Sequence, residues 1–201
     1  DLPVTLDPVA PDLDSICNEF PVINLSAGAQ MREAIEKAKV DGDSLGGVVE
    51  CFVTGLPAGL GGAMFGGLES KIAQVIYGIP AVKGIEFGSG FAGSSLLGSQ
   101  NNDSFSVDGD KIFTLTNHAG GILGGISTGM PVVFSVAMKP TPSIAKKQRT
   151  VDLKTGLPVS LQIHGRHDPC IVPRVVPVIE AATAIALFDT ILGQKGESIW
   201  I

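Results

Sequence analysis

Apolar residues along the chain recur with two spacings, which predict a mixture of helices and strands. A spacing of three or four residues, as in Met31, Ala34 and Ile35, is typical of an amphipathic helix, whereas short runs rich in valine and phenylalanine indicate buried strands. The predicted helices cover 29–40, 64–77 and 171–192, and the predicted strands cover 46–54, 80–87, 111–116, 131–138 and 159–164. Residues 46–87 are therefore expected to form a strand–helix–strand unit.

The last predicted helix, 171–192, is apolar nearly all round and is interpreted as a core helix. We place Pro177 in its first turn and take Gly193 as its C-terminal stop. Arg174, Glu180 and Asp189 interrupt the apolar run, which argues against a span across a membrane. The sequence thus predicts burial against other parts of the protein.

The chain has 201 residues, which is enough for one domain with its own core. Residues 1–28 are rich in proline and are expected to form an extended arm, residues 29–192 form the folded part, and residues 193–201 form a tail. The three cysteines, Cys17, Cys51 and Cys170, are odd in number and widely separated, which favours free thiols and a cytoplasmic location over a disulfide framework.

Charge is distributed unevenly, and the distribution bears on the ligand. The whole chain has a net charge of −6, but residues 139–174 contain seven lysines and arginines against two aspartates, which makes this segment +5. It has no phenylalanine, tyrosine or tryptophan on which nucleic acid bases stack. A basic segment in an acidic protein favours a small phosphorylated or carboxylated ligand over nucleic acid.

Two glycine-rich motifs have different interpretations. Residues 88–93 match the G-x-G-x-x-G pattern of dinucleotide sites, but the following residues are poor at starting a helix, so we interpret them as a turn. Residues 117–127 read N-H-A-G-G-I-L-G-G-I-S, where glycine would let main-chain amides approach a ligand. A tight loop between packed layers is an equally good interpretation of this second motif.

Two polar segments carry the remaining candidate chemistry. Lys139–Ser143 combines a lysine at a strand end with hydroxyls on a proline-stiffened backbone, which suits a phosphate grip or simply a loop. His164–Cys170 offers Asp168 as a proton acceptor beside Arg166, and a polar turn is the plainer alternative. The segment also leaves open a metal site at His164, His167, Asp168 and Cys170, or a nucleophilic Cys170, although its spacing fits no standard zinc pattern.

Seven segments together closely resemble the chorismate synthase family, and they occur in that family's order. The segments are G-D-S-L-G-G-V-V-E at 42–50, G-L-P-A-G-L-G at 55–61, A-V-K-G-I-E at 81–86, G-S-Q-N at 98–101, residues 117–127, K-P-T at 139–141 and G-R-H-D-P-C at 165–170. The resemblance spans about residues 29–192, and it identifies the chain as the C-terminal portion of such a protein, because motifs of the family's first half do not occur here.

The resemblance implies an α+β fold, a β-α-β sandwich in which helices are enclosed between antiparallel sheets, here in partial form. It implies a carbon–oxygen lyase of aromatic amino acid biosynthesis, which forms chorismate from 5-enolpyruvylshikimate 3-phosphate by 1,4-anti elimination of phosphate with reduced FMN. It also implies a cytoplasmic homotetramer that binds neither nucleic acid nor a membrane.

By matching motif positions, the resemblance implies catalytic roles for Asp168 and Arg166, with Asp168 in proton transfer. The implied FMN-binding residues are Ala81, Gly124, Lys139, Pro140, Thr141, Pro142, Ser143 and Arg166, and no metal is implied. We expect this 201-residue chain alone to be inactive. The alternatives are a non-catalytic, self-associating fragment and, more remotely, a small metal hydrolase built on His164–Cys170.

Overall fold

The computed structural model describes residues 5–16, 20–165 and 167–197, which form five helices and nine strands. The helices are α1 (Leu25–Val40), α2 (Leu68–Ile76), the one-turn α3 (Gly90–Gly93) and α4 (Gly98–Asn101), and α5 (Val172–Glu197). The strands are β1 (Gly47–Val53), β2 (Val82–Phe87), β3 (Phe105–Asp108), β4 (Lys111–Thr114), β5 (Ile122–Leu123), β6 (Ile126–Ser127), β7 (Val132–Met138), β8 (Gln148–Val151) and β9 (Pro158–Leu161).

A three-stranded antiparallel sheet, in the order β1-β7-β2, forms the centre of the fold. The register pairs Met138, at the end of β7, with Gly47 on one side and Val82 on the other. Because both neighbours run antiparallel to β7, the start of β1, the start of β2 and the end of β7 meet at one edge of the sheet. This register decides which loops can form a common site.

The hydrophobic core lies between one face of this sheet and the helices α2 and α5. Alternate residues of β7, such as Phe134 and Val136, point into the core, as the period of two in a strand requires. From α2 a stripe of Leu68, Ile72 and Ile76 faces them at four-residue spacing. The predicted strand–helix–strand unit over 46–87 is confirmed, and its helix packs mainly against α5, which in turn contacts β1.

Helix α5 buries one face and exposes another that is also apolar. Ile179 and Leu187 are buried against the core, whereas Ile185 and Phe188 are 64% and 63% exposed. Residues 172–194 are long and apolar enough to cross a membrane by length and composition alone, but the core helix of a soluble protein passes the same test. The prediction of a core helix is therefore confirmed for one face only.

The bounds of two helices differ from the prediction at their N-terminal ends. Helix α1 begins at Leu25 instead of residue 29, because the Asn24 side chain caps it by accepting a hydrogen bond from Ala27 N–H. The predicted helix 64–77 splits into a 3₁₀ turn (Met64–Gly66) and α2, because Gly67 between them has an extended backbone.

The stop at Gly193 is wrong, because α5 continues to Glu197. The Gln194 side-chain amide donates hydrogen bonds of 3.1 Å to the carbonyls of Gly59 and Gly61, which holds the last turns in place. Pro177 is the sixth helical residue and lies beyond the first turn where we expected it, and Pro173 takes that place. The part of the predicted tail beyond Glu197 lies outside the described residues.

Three two-stranded hairpins, β3-β4, β5-β6 and β8-β9, complete the described fold. Residues 154–156 lie in the turn between β8 and β9, and β9 ends at Leu161 and not at the predicted residue 164. Strand β3 was missed, because residues 94–106 are polar and carry no run of strand-forming residues; β3 forms by pairing with β4. The motif at 88–93 forms a turn and α3, not the long helix that a dinucleotide site needs.

The packing around β7 generates a stability test at Phe134, which is buried in the core and lies 5.5 Å from the ring of Phe87, centroid to centroid. Phe134→Ala removes a large side chain from a site with little freedom to collapse. We expect it to lower the free energy of unfolding in urea by about 3–5 kcal/mol. Phe91→Ala is the matched control, because Phe91 is exposed and its loss should cost less than about 0.5 kcal/mol. Equal costs would contradict the placement of Phe134 in the core.

Candidate functional site

The sheet register brings two of the predicted FMN-binding segments together at one edge, which we call the loop edge. Lys139 directly follows β7, and its N–H donates a 3.0 Å hydrogen bond to the carbonyl of Ala81, which directly precedes β2. Ala81 has a φ of 75°, an uncommon conformation for a residue with a side chain. A strained residue held in place by its surroundings is common at binding sites.

The segment Lys139–Ser143 is fastened at every second residue. Beyond the bond from Lys139, the Thr141 carbonyl accepts a 2.6 Å hydrogen bond from the Ser44 hydroxyl, and the Ser143 hydroxyl lies 3.0 Å from Nδ1 of His167. Gly46 permits this close approach, because a side chain there would collide with the carbonyl of Met138. The loop is thus held in one shape by residues before β1, before β2 and before α5.

The segment 164–170 reaches the same edge from the other side. Leu45 N–H donates a 2.7 Å hydrogen bond to the Pro169 carbonyl, which ties the segment to the turn before β1. Asp168 Oδ2 accepts a 2.8 Å hydrogen bond from Arg174, in the first turn of α5, and both side chains are solvent-accessible. Arg166, the expected partner of Asp168, lies outside the described residues. The plainer alternative, a polar turn with a buried Arg–Asp pair, is not what Asp168 shows, because its arginine is Arg174 of α5 and the pair is exposed.

His167 contributes an unusual feature to the loop edge. Its Nε2 atom is buried and has no hydrogen-bond partner in the described part of the chain, while Nδ1 contacts Ser143. Buried nitrogens are nearly always paired, so an unpaired one calls for an explanation. Within residues 5–16, 20–165 and 167–197, no three His, Cys, Asp or Glu side chains group closely enough to hold a metal ion.

The described cysteines do not have the environment of a nucleophile. Burial raises the pKa of the Cys51 thiol to about 11, with the Thr183 hydroxyl 4.0 Å from its sulfur. Burial also raises the pKa of Cys170. A reactive cysteine needs a lowered pKa, so the alternative of a nucleophilic Cys170 loses support. Both thiols are free, as predicted, and Cys17 lies outside the described residues.

Gly124 is not near the other predicted FMN-binding residues. The loop that contains Gly124 contacts the start of α2, where Leu68 N–H donates a hydrogen bond to the Gly125 carbonyl. Ala81, in contrast, follows the end of α2. These positions therefore lie towards opposite ends of α2, whose nine residues span about 12 Å. Gly124 has open space where a side chain would be, so a ligand can approach its backbone.

The glycine-rich loop 117–127 is held by Asp103, a residue that the sequence analysis did not single out. The carboxylate accepts hydrogen bonds from the N–H groups of His118 and Ala119 at 2.7 and 2.9 Å and from the Thr116 hydroxyl at 2.7 Å. Burial opposes its ionisation, but these hydrogen bonds and the nearby His118 hold the pKa of Asp103 below its ordinary value. A lone aspartate in a polar stretch gave no sequence signal for this role.

A cavity of about 450 Å³ lies on the face of the sheet opposite the helices. Residues 5–9 cover it, and Glu50 and His118 contribute to its lining. Burial raises the pKa of Glu50, although a hydrogen bond from Leu6 N–H partly opposes this shift. The residues predicted to bind FMN are not part of the lining, so the cavity and the loop edge are separate features.

The fold and the loop edge define an α+β protein with a candidate ligand-binding edge, and comparison with known proteins then gives its family. The sequence profile described as "Chorismate synthase" matches residues 8–192. A Dehalococcoides mccartyi protein named "Chorismate synthase" is 56% identical over 84% of this chain, and one from Synechococcus is 46% identical over 98% of it. The chain belongs to the chorismate synthase family.

The structural comparison agrees with this assignment. A structure titled "Crystal Structure of Chorismate Synthase" matches with a TM-score of 0.69 and 32% identity over 86% of this chain. The fold is therefore chorismate synthase-like, a mixture of helices and small antiparallel sheets, as predicted in its coarse form. The chain spans about half the length of the curated relatives it matches, 46% of the Dehalococcoides protein and 55% of the Synechococcus protein.

Asp103 generates a prediction about pH and stability. A carboxylate whose pKa is lowered by folding stabilises the protein above its unfolded pKa of about 3.9, and this contribution disappears as the pH falls through the folded pKa. Asp103→Asn should lower the free energy of unfolding at neutral pH by about 1–3 kcal/mol, because an amide nitrogen then faces the donors around it.

Urea unfolding at neutral pH and at a pH well below the unfolded pKa of about 3.9 is the measurement, because the contribution is lost only below the folded pKa. The loss of stability between the two conditions should be smaller in Asp103→Asn than in the unsubstituted chain. Asp110→Asn serves as the control, since Asp110 is exposed in the turn between β3 and β4. An Asp103→Asn variant with the original pH dependence would show that Asp103 does not hold the loop as described.

Proposed function

We propose that this chain is the C-terminal portion of an FMN-dependent lyase that converts 5-enolpyruvylshikimate 3-phosphate to chorismate in the cytoplasm. The observation that carries the proposal is the meeting of Ala81, Lys139–Ser143 and Asp168 at one edge of the sheet in a member of the chorismate synthase family. The motifs that resemble the family's flavin and substrate positions are far apart in sequence, and one common ligand explains why they converge.

The loop edge has the donors that FMN would need. The N–H groups of Thr141 and Ser143 donate no hydrogen bond within the described part of the chain, and Nε2 of His167 is unpaired. The residues proposed to hold the cofactor are Ala81, Gly124, Lys139, Pro140, Thr141, Pro142, Ser143 and Arg166. FMN is elongated, with a ring system at one end and a phosphate at the other, so it can reach both the loop edge and the distant Gly124.

When bound, reduced FMN supplies the electron that starts departure of the substrate phosphate, a chemistry that protein side chains lack. The work of the chain is to bind, orient and move protons. Asp168 is proposed to hold a proton at Oδ1, since Oδ2 is occupied by Arg174 and no described residue donates to Oδ1. Arg166 is proposed to face the substrate, where its fixed positive charge suits a carboxylate or phosphate.

The exposed apolar face of α5 supports the finer fold that the family resemblance implies. Val178, Ile185, Phe188 and Leu192 lie on one side of the helix at spacings of three, four and seven residues, and all are exposed. A helix that buries one face on a sheet and leaves an apolar second face needs another layer. We propose that the part of a family-length chain absent from these 201 residues supplies this layer, which encloses the helices between sheets.

The same surface favours a second candidate function. A half-length chain with an uncovered apolar helix face can associate with itself without catalysing any reaction. The number of cations also favours an inactive chain. The substrate has three anionic groups, one phosphate and two carboxylates, whereas the cations proposed to pair with them are Lys139 and Arg166. Each such anion needs paired donors when it leaves water. The family's homotetramer is proposed only for the complete protein.

We therefore expect the isolated chain to form no measurable chorismate from 5-enolpyruvylshikimate 3-phosphate and reduced FMN under anaerobic conditions. Activity should appear when the chain is mixed with the segment of the Dehalococcoides relative that it does not match, produced separately. Chorismate absorbance is the readout, and each piece alone is the control. Full turnover by the isolated chain, or none after mixing when both pieces are folded and associated, would contradict the proposal.

Asp168→Asn tests the proposed proton transfer in the mixed protein. Loss of a proton-transfer group lowers turnover by about a hundredfold or more, while the amide preserves the shape of the side chain. FMN affinity should change little, because the proposed role is in the reaction and not in binding. Arg174→Gln is the companion variant. It removes the hydrogen-bond donor to Oδ2 but leaves the Asp168 carboxylate, so it separates loss of the Arg–Asp pair from loss of the proton-transfer group. Unchanged turnover in Asp168→Asn would remove Asp168 from the mechanism.

A further inference from the structure

His167 has one ring nitrogen occupied and one unpaired. Nδ1 lies 3.0 Å from the Ser143 hydroxyl, and Nε2 is buried with no hydrogen-bond partner among the described residues. A hydroxyl that donates to Nδ1 leaves the ring proton on Nε2, because a neutral imidazole carries one proton. The contact with Ser143 therefore suits a state in which Nε2 is a buried donor in search of an acceptor.

The surroundings of Nε2 suit an anionic acceptor. Within the described part of the chain, the N–H groups of Thr141 and Ser143, in the loop that contacts the ring, donate no hydrogen bond, and Lys139 is exposed at the start of that loop. Helix α5 begins five residues after His167, and the N-terminus of a helix of this length favours negative charge. Gly165 has no side chain, and a Cβ there would come within 3.6 Å of Nε2.

We propose that His167 binds the ligand directly, by donating a hydrogen bond from Nε2 to a phosphate monoester oxygen, while Ser143 fixes the tautomer that makes this possible. The inference rests on the proposed function, because FMN carries a phosphate monoester, but it is narrower: it assigns one donor atom to one kind of acceptor. The substrate carries the same group, so the experiment separates the two sources by using FMN and inorganic phosphate as individual probes.

The first measurement is the histidine side-chain ¹H–¹⁵N spectrum of the 201-residue chain, in which the two ring nitrogens have distinct signals. The free protein should show His167 protonated at Nε2. Addition of inorganic phosphate or FMN should shift the Nε2 signal, whereas riboflavin, which is FMN without its phosphate, should leave it in place. The signal of His164, exposed in the same segment, should not move with any probe.

Substitutions separate ligand binding from a merely structural contact. His167→Asn retains a polar group near the position of Nδ1 and loses the donor at Nε2, whereas His167→Gln places an amide near Nε2 and loses the contact with Ser143. We expect His167→Asn to weaken phosphate and FMN binding about tenfold, the scale of one charge-assisted hydrogen bond, and His167→Gln to weaken both less. Ser143→Ala should leave a mixture of tautomers in the spectrum, and His164→Gln should bind as the original chain does.

The outcomes distinguish this inference from the proposed function. FMN binding equal to riboflavin binding, with the His167 signal unmoved, would overturn the role of His167 and leave the flavin proposal standing. A shift of Nε2 with inorganic phosphate but not with FMN would support the role of His167 and count against the flavin. No shift with either probe, or weaker binding by His167→Gln than by His167→Asn, would overturn the inference. Circular dichroism of each variant confirms that it is folded.

Discussion

The pairing of β7 with a neighbour on each side is the constraint on which the rest of the structure depends. Both ladders are antiparallel and both place Met138 opposite the first residue of the neighbouring strand. The three segments next to these residues are therefore forced to one edge, whatever their distance in sequence. The same strand supplies the largest buried side chain of the core, Phe134, so stability and site geometry depend on one element.

The shape of the loop edge depends on a close backbone approach and a positive φ angle, which only certain residues tolerate. Gly46 admits the carbonyl of Met138, and Ala81 keeps a φ of 75° while its carbonyl accepts from Lys139. Strain of this kind persists where the surrounding structure over-determines it. In return the loop after β7 presents unpaired N–H groups in a fixed arrangement, which lowers the entropy lost when a ligand binds.

The sequence was most informative where local pattern and tertiary structure agree. The spacing of apolar residues predicted β1, β2, β7 and α2 to within a few residues, because each buries one face against the same core. It misplaced the end of α5, since the contacts of Gln194 lie more than 130 residues away in the chain. Such long-range contacts leave no local signal, and neither does the pairing that creates β3.

In the candidate site, too, residues that stand in local motifs were predictable from the sequence, and residues that act through distant contacts were not. The motifs around Lys139 and Asp168 were recognisable, because proline, glycine and charged residues stand close together there. The roles of Ser44 and Asp103 were not, since each acts by a hydrogen bond to a distant segment, to Thr141 and to the loop at 117–127. His167 was noted only as a possible metal ligand, and its unpaired nitrogen is visible only in three dimensions.

In the proposed function, the loop edge and the glycine-rich loop bind the two ends of one flavin. Amide hydrogen exchange tests this directly, with and without FMN, in the chain mixed with the segment of the Dehalococcoides relative that it does not match. The proposal predicts that FMN slows exchange at both 139–143 and 117–127, although the two sites lie towards opposite ends of α2. Protection of only one of the two segments, or of neither, with FMN shown to be bound, would contradict it.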